Sequence, residues 1–429
     1  VKPLRIGLAG LGTVGVGVIK LLRAHAEELS ARGGRPVEVV AVSARSRDRD
    51  RGISLDGLRW HDDPVSLAQD TEIDVAVELI GGSEGPARLM VEAALGRGIP
   101  VVTANKALVA LHGSALARLA ADNNTTLLFE AAVAGGIPAI KLVREGLAAE
   151  RLDRVGGILN GTCNYILTEM RTSGRDFSDV LAEAQEKGYA EAEPSTDVDG
   201  WDAAHKLAIL AGIAFNPIRF ESLPVEGIRN VTAADLRFAT ELGYRIKLLG
   251  LARQHEGKAL EAWVRPCMVP VVAPIAGVEG VFNAVTTSGP FSGPITISGR
   301  GAGEGPTASA VVADLIDLAR GASLPVWGVG AVSDAVECGS LADVESAFYI
   351  RLDVADRSGT MADLTSVLRD HDVSVHFVSQ HEAASGRAYV ALVTHGVAES
   401  AVREAAKGLA ALPAVNGEPL VLKIEDSLR

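Results

Sequence analysis

Two lysines and a cluster of carboxylates occupy positions from which a proton could be moved. Asp202 and Lys206 stand four residues apart in WDAAHKLAILAGI, a spacing that sets both on one face of a helix. The polar segment before them, GYAEAEPSTDVDG, adds Glu191, Glu193, Asp197 and Asp199. Acids beside an ammonium can orient it, or can hold the amine of a substrate. Lys106 follows an apolar β-type run in VVTANK, and ligands of open α/β sheets gather beyond the carboxyl ends of the strands. Plainer readings stand next to these: an exposed helical ion pair worth about 0.3–0.5 kcal/mol, a solvated acidic loop and a surface lysine.

A glycine-rich turn carries a second chemistry. Gly10-Leu11-Gly12-Thr13-Val14-Gly15 is GxGxxG directly after an apolar strand and at the opening of a helix. Its glycines allow a tight turn and close approach of the backbone to a pyrophosphate, and the helix start offers free N–H groups. The end of the second strand selects the nucleotide. An acid there would hold a ribose hydroxyl; this chain instead reads Ser43-Ala44-Arg45-Ser46-Arg47, with Arg49 and Arg51 beyond. Guanidinium groups and a hydroxyl suit a 2′-phosphate, so Arg45 points to NADP, with NAD left open. The interleaved Asp48 and Asp50 offer the alternative of a solvated loop of internal ion pairs.

These groups need a scaffold. Residues 4–9, 37–43, 75–79, 100–103 and 126–130 read as strands, alternating with helical stretches at 14–25, 86–95 and 114–122. That order predicts a parallel, doubly wound α/β sheet of Rossmann type. The middle third predicts an α+β unit, with strands at 151–159, 246–252, 262–270 and 294–298. Its helices fall at 177–187, 201–213 and 307–320, the last after a glycine-rich turn at 299–305. Beyond residue 348 the order βαββαβ predicts a ferredoxin-like domain. The expected division is a nucleotide domain over 1–135, completed by 300–320, and a catalytic and dimerisation domain over 136–320. A Gly/Ala/Ser-rich linker over 321–347 and a terminal domain over 348–429 follow.

Composition narrows the class. A chain of 429 residues, 48% of them hydrophobic, can bury a core in several domains. Its formal charge of −13 disfavours nonspecific nucleic-acid binding. Three widely spaced cysteines give no disulfide framework and no CxxC metal motif. No signal-type region and no membrane-length apolar run is apparent, so a soluble cytoplasmic protein is expected.

The motifs GLGTVG, TANKALVA, FEAAVAGGIP, GILNGTCNYILTEM, GYAEAEPSTDVDGWDAAHKLAILA and GRGAGEGPTASAVVADL, in that order, resemble the homoserine dehydrogenase family. The terminal domain resembles an ACT domain, a small regulatory fold. The resemblance implies NAD(P)-dependent interconversion of L-aspartate 4-semialdehyde and L-homoserine, a step of threonine and methionine biosynthesis. It makes Lys206 the proton donor and acceptor and Lys106 a second active-site lysine. Glu191 and Asp202 become substrate-contacting acids, and Asp197 the third acid of that motif. Gly188 and Gly303 become neighbours of the cofactor, with Gly10, Gly12, Thr13, Val14, Gly15, Arg45, Thr103 and Lys106. Glu130, Val133, Gly135 and Ile137 match positions that hold a monovalent cation such as sodium, largely through backbone oxygens. A homodimer is implied, which paired ACT domains would extend to a homotetramer. An amino-acid effector, threonine, would sit at Asp356, Gly359, Thr360 and Met361.

Two residues depart from the family pattern: Glu193 replaces an Asp before Pro194, and Ser358 replaces a Pro before Gly359. A catalytically silent protein that binds NADP and an amino acid is the alternative on the same scaffold.

Overall fold

The computed structural model describes residues 1–330, 333–383 and 386–428. Strands β1 (Leu4–Ala9), β2 (Val37–Ser43), β3 (Arg59–His61), β4 (Val75–Glu78), β5 (Val101–Thr103) and β6 (Leu127–Leu128) form one parallel sheet in the order β3-β2-β1-β4-β5-β6. Alternate residues face opposite sides. Leu8, Val77 and Val102 pack on one side under the Thr13–Ala24 and Glu304–Ala319 helices. Ala76 and Val101 pack on the other side with Met90, Leu95 and Leu116. The strand order reverses between β1 and β4, and a doubly wound sheet opens its crevice at such a point.

The Glu304–Ala319 helix lies far along the chain from this sheet yet closes one of its faces. Gly17 lets it in: a Cβ there would lie 2.7 Å from Glu304 Cγ. Pro306 falls in its first turn, where a missing N–H costs nothing.

Among the described residues the second sheet has nine strands. β7 (Arg154–Ile158), β8 (Tyr244–Arg253), β9 (Glu261–Pro270), β10 (Phe282–Ser288) and β11 (Ile295–Arg300) make an antiparallel set in the order β11-β10-β7-β8-β9. A short ribbon pairs β12 (Glu345–Ser346) with the later β16 (Val397–Ala398). The terminal unit then runs β13 (Phe348–Ala355), a helix at Thr360–Asp370, β14 (Val375–Ala383), β15 (Arg387–Thr394), a helix at Glu399–Ala410, and β17 (Leu420–Ile424). Its own sheet, β17-β13-β15-β14, does not stand apart. β17 lies parallel to β9, with Lys423 opposite Cys267 and Ile424 opposite Met268, so one sheet runs through both units.

Several elements differ from the sequence reading. The strand expected at 126–130 is two residues long and gives way to a 3-10 turn at Glu130–Ala132. The helix expected from 114 starts at Lys106, because Asn105 caps it by accepting the Leu108 N–H at 3.1 Å. Its interior Gly113 hid that continuity. The Gly161–Ser173 helix has a weak signature in the sequence because Thr162, Thr168 and Tyr165 are indifferent helix formers. The Asn160 cap and burial of its inner face override that preference. β10 is not legible as a strand in the sequence because its polar Asn283 and threonines mask an apolar stripe.

The described residues of 321–347 are mostly irregular but they are docked. The Trp327 ring is buried against Phe129 with centroids 5.9 Å apart. Val336 bridges to Ile218, and the Gly339 N–H donates to the Leu260 carbonyl at 2.7 Å. Among the described residues no helix is long and apolar enough to cross a membrane.

Candidate active site

The glycine turn sits at the carboxyl end of β1 and opens the Thr13–Ala24 helix. Gly10 has φ of 101°, and a Cβ there would strike the Leu79 carbonyl oxygen at 2.3 Å. A Cβ on Gly15 would meet the Gly10 carbonyl oxygen at 2.0 Å. Gly12 differs: nothing lies within 4 Å of its Cβ position, and no side chain caps the helix. Thr13 and Val14 open the helix after it. Two glycines therefore shape the turn while the third leaves room above uncapped N–H groups, which fits a pyrophosphate.

Ser43 ends β2 beside this turn, its carbonyl accepting the Gly10 N–H at 2.9 Å. Arg45, Arg47 and Arg49 follow, exposed. Neither Asp48 nor Asp50 forms an ion pair with them among the described residues; Asp50 accepts the Gly52 N–H instead. Arg47 and Arg51 lie over the Trp60 ring, and Arg51 also donates to loop carbonyls. Arg45 is left with no ion-pair partner among the described residues and an open approach.

Along the same edge, buried Glu78 at the end of β4 accepts the Thr103 hydroxyl at 2.5 Å and the Ile80 and Gly81 N–H groups. Thr103 Oγ1 in turn accepts the Asn105 N–H at 2.9 Å. The Thr103 side chain is thus spent on the turn, so only its backbone remains for a cofactor. The network fixes Asn105 and sets Lys106 at the first position of its helix.

Lys106 Nζ stands 3.0 Å from Asp202 Oδ1, on a helix contributed by the other unit. Asp202 Oδ2 accepts from Lys206 Nζ at 2.7 Å, and Lys206 also donates to the Leu159 carbonyl at 2.8 Å. Asp202 and Lys206 are both buried. Burial opposes ionisation of Asp202, yet the Lys206 and Lys106 ammoniums outweigh it and hold the carboxyl well below the usual range. The Asp202 charge, against a desolvation cost, raises the Lys106 ammonium above its ordinary value. Asp197 lies half-buried nearby. Burial and then the Asp202 charge push its carboxyl up, while a hydrogen bond from Asn160 pulls it down. Glu191 is exposed at the rim, close enough for its charge to act on Lys106.

Asn160, not foreseen as a site residue, donates to Asp197 Oδ1 at 2.7 Å and to Asp202 Oδ2 at 2.8 Å. Its signal was the NGT inside GILNGTCNYILTEM, an N-cap pattern. Asn283 of β10, also unforeseen, donates to the same Leu159 carbonyl at 2.8 Å. Two loop acids take structural roles. Glu193 caps the turn by accepting the Ser195 N–H at 3.1 Å, and Asp199 pairs with Arg229 at 2.5 Å. The longer Glu193 therefore still serves its loop.

The remaining positions fall around this centre. Gly188, with φ of 74°, ends the Phe177–Glu186 helix and leads into the acidic segment. Gly303, with φ of 114°, opens the uncapped Glu304–Ala319 helix. Val133, Gly135 and Ile137 lie on a buried loop where Ala134 and Gly135 both have positive φ, 56° and 52°. The Val133 and Gly135 carbonyls accept no hydrogen bond among the described residues. The Glu130 carboxylate is already committed to the Ile140 and Lys141 N–H groups at 3.1 and 2.8 Å. In the terminal unit Gly359 opens a helix, the Thr360 hydroxyl donates to the Ala355 carbonyl at 3.0 Å, and Asp356 is exposed near Gln380. Met361 is half-buried beside them.

A dinucleotide fold on one wall and a desolvated acid–base pair on the other make this chain a nicotinamide-dependent dehydrogenase. Family models agree in three stretches: the homoserine dehydrogenase NAD-binding domain over residues 10–130, homoserine dehydrogenase over 138–316, and the ACT domain over 348–414. The chain belongs to the homoserine dehydrogenase family. It is 43% identical to the homoserine dehydrogenase of Pseudomonas aeruginosa, with 99% of each covered. The crystal structure of a homoserine dehydrogenase from Thiobacillus denitrificans superposes with a TM-score of 0.92 at 44% identity, again over 99% of each chain. A hyperthermophilic archaeal homoserine dehydrogenase in complex with NADPH covers 74% of this chain and is covered to 97%, with a TM-score of 0.63 at 29% identity.

Proposed function

We propose that this protein interconverts L-aspartate 4-semialdehyde and L-homoserine, with NADP(H) preferred over NAD(H). The observation that carries the reading is the Lys106–Asp202–Lys206 array, set on helices of two units beyond the carboxyl edge of the parallel sheet. When bound there, the nicotinamide nucleotide supplies the hydride. Lys206 has three N–H bonds, of which Leu159 and Asp202 take two. The third serves the substrate oxygen. It gives up a proton there as the aldehyde is reduced, and Lys206 takes that proton back from the hydroxyl as homoserine is oxidised. Asp202 orients Lys206 and holds Lys106, whose ammonium adds positive potential where oxyanion charge develops. Glu191 and Asp197 meet the α-ammonium of the substrate. A silent nucleotide binder would have no use for a buried lysine aimed in this way.

Arg45 supports the NADP preference through its unpaired guanidinium. The archaeal relative's complex with NADPH agrees. Gly188 and Gly303 would flank the cofactor. The free carbonyls of Val133 and Gly135, on a loop with two successive positive-φ residues, fit a monovalent cation such as sodium, with Glu130 and Ile137 completing the loop. Phe291 at the β10–β11 turn is 93% exposed, and Val272 and Phe282 are exposed with it, which supports a homodimer; a homotetramer would add ACT pairing. Threonine is the proposed effector, at the turn of Asp356, Gly359, Thr360 and Met361.

The test is turnover of aspartate semialdehyde and of homoserine with both cofactors. Efficient turnover, faster with NADPH, is expected. Binding of NADPH with no turnover of either substrate would refute the reading.

A further inference from the structure

Asn160 is buried, and all the polar groups of its side chain are engaged. Its carbonyl oxygen accepts the Cys163 N–H at 2.8 Å and so caps the Gly161–Ser173 helix. Its amide nitrogen reaches two different carboxylates, Asp197 and Asp202. Like charges this close oppose each other's ionisation. Burial keeps water from relieving them. A lysine or arginine in this place would relieve them too, but it would draw the Asp202 charge away from Lys106 and Lys206. A neutral amide satisfies both acids and leaves their charge available.

We infer that Asn160 is a positioning residue of this centre, holding Asp197 and Asp202 side by side as carboxylates so that Asp202 stays aligned on both lysines and Asp197 is ready for an ammonium. The inference rests on the proposed function for its catalytic consequence only. The groups facing Asp197 are Asp202 and Lys206 from one helix and Lys106 from another. Cys163 also faces it, with Sγ 3.2 Å from the Asp197 carbonyl oxygen, and Glu191 and Asp199 lie on its own segment. None of these hydrogen-bonds the Asp197 carboxylate; among the described residues that contact is made by Asn160.

Asn160→Ser and Asn160→Asp separate this role from capping. Ser and Asp are as good at a helix N-cap as Asn, but neither offers the two N–H donors. Asn160→Ser should melt within a few degrees of the parent and keep KM for NADP within about twofold, whereas Asn160→Asp sets a third carboxylate beside two others and should melt lower. For Asn160→Ser, kcat/KM for homoserine should fall roughly 10- to 100-fold, the loss of one to two charge-assisted hydrogen bonds. Its Asp197 carboxyl, followed by 13C NMR, should titrate higher by about one pH unit or more, with a larger shift in Asn160→Asp. The titration needs no substrate. If the parent protein does not turn over homoserine, the proposed function fails, while the role of Asn160 is still decided by the titration. An unmoved Asp197 titration overturns the inference whatever the activity. So does an activity loss that tracks equal losses of melting temperature and NADP affinity, because that pattern belongs to a cap alone.

Discussion

Lys206 makes two hydrogen bonds inside the protein before any substrate arrives, and that restraint is what fits it for proton transfer. Replacing it with Ala should lower kcat by at least about 10²-fold, the lower range for a general acid–base group, with little change in NADPH affinity. Stopped-flow turnover and NADPH fluorescence titration measure the two quantities, and a near-normal kcat would remove Lys206 from the reaction. Arg45 makes the opposite kind of claim, about binding alone. Arg45→Asp should weaken NADPH use by roughly 2–3 kcal/mol, the low range for a charge pair broken across an interface. NADH use should fall far less. Comparing kcat/KM for the two cofactors checks this, and equal losses would mean that Arg45 does not read the phosphate.

Among the elements, the helices that carry Lys106 and Lys206 need a fixed separation, and Trp327 supplies it. Its ring lies against Gly113 of the first and Gly212 of the second; a Cβ would come within 2.5 Å and 2.7 Å of ring carbons. Elsewhere in a helix interior, Gly→Ala stabilises by about 0.5–1 kcal/mol. Here the steric cost reverses the sign, so Gly212→Ala should destabilise. Trp327→Ala should cost about 3–5 kcal/mol, as expected for a buried aromatic. It should also loosen the Lys106–Asp202 pair and lower kcat without loss of the nucleotide turn. Urea unfolding with paired kinetics tests both variants, and a stabilised Gly212→Ala would show that the ring has room to move.

At the scale of the molecule, the terminal ACT unit is stitched to the catalytic unit by backbone and by charge. β9 is buried along its whole length, and β17 covers its outer edge. Arg265 of β9 pairs with Glu399 at 2.7 Å, and Arg351 with Asp235 at 2.7 Å, each across the seam. A chain ended after Gly339 would expose an apolar edge strand and leave Arg265 without its carboxylate. It should melt lower and self-associate, as light scattering would show, rather than lose only the proposed effector response. A truncated chain as stable and active as the whole would show the seam to be dispensable. The proposed threonine control is therefore better tested with Asp356→Ala, which should abolish any inhibition that threonine causes in the parent and leave the uninhibited rate unchanged.

Acid should open the same seam. Burial opposes the charge of Glu425, but Arg253 and Lys423 hold its carboxyl down to about 2, from 4.5. Its folded value lies below its unfolded one, so the stabilisation is present in full above pH 4.5 and is lost as pH falls toward 2. Melting temperatures across pH 2–5 should fall less steeply for Glu425→Gln than for the parent.

Local patterns made much of this protein legible. The parallel order of strands and helices, the GxGxxG turn and the Asp202–Lys206 pair all follow from short-range periodicity, and short-range periodicity is written in neighbouring residues. The βαββαβ order of the terminal unit was legible for the same reason. What needed the tertiary structure joins residues far apart in the chain. Nothing near Lys106 announces Asp202, nothing near Gly113 or Gly212 announces Trp327, and nothing in a Gly/Ala/Ser-rich stretch says that it is docked. Asn160 carries no reading of its own in the sequence, and only the fold puts two acids within reach of its amide. Likewise β17 reads as the last strand of its own small domain, and only packing turns it to the edge of β9. Such contacts depend on how whole elements stack, and that stacking is set by burial summed over the molecule rather than by any local run of residues.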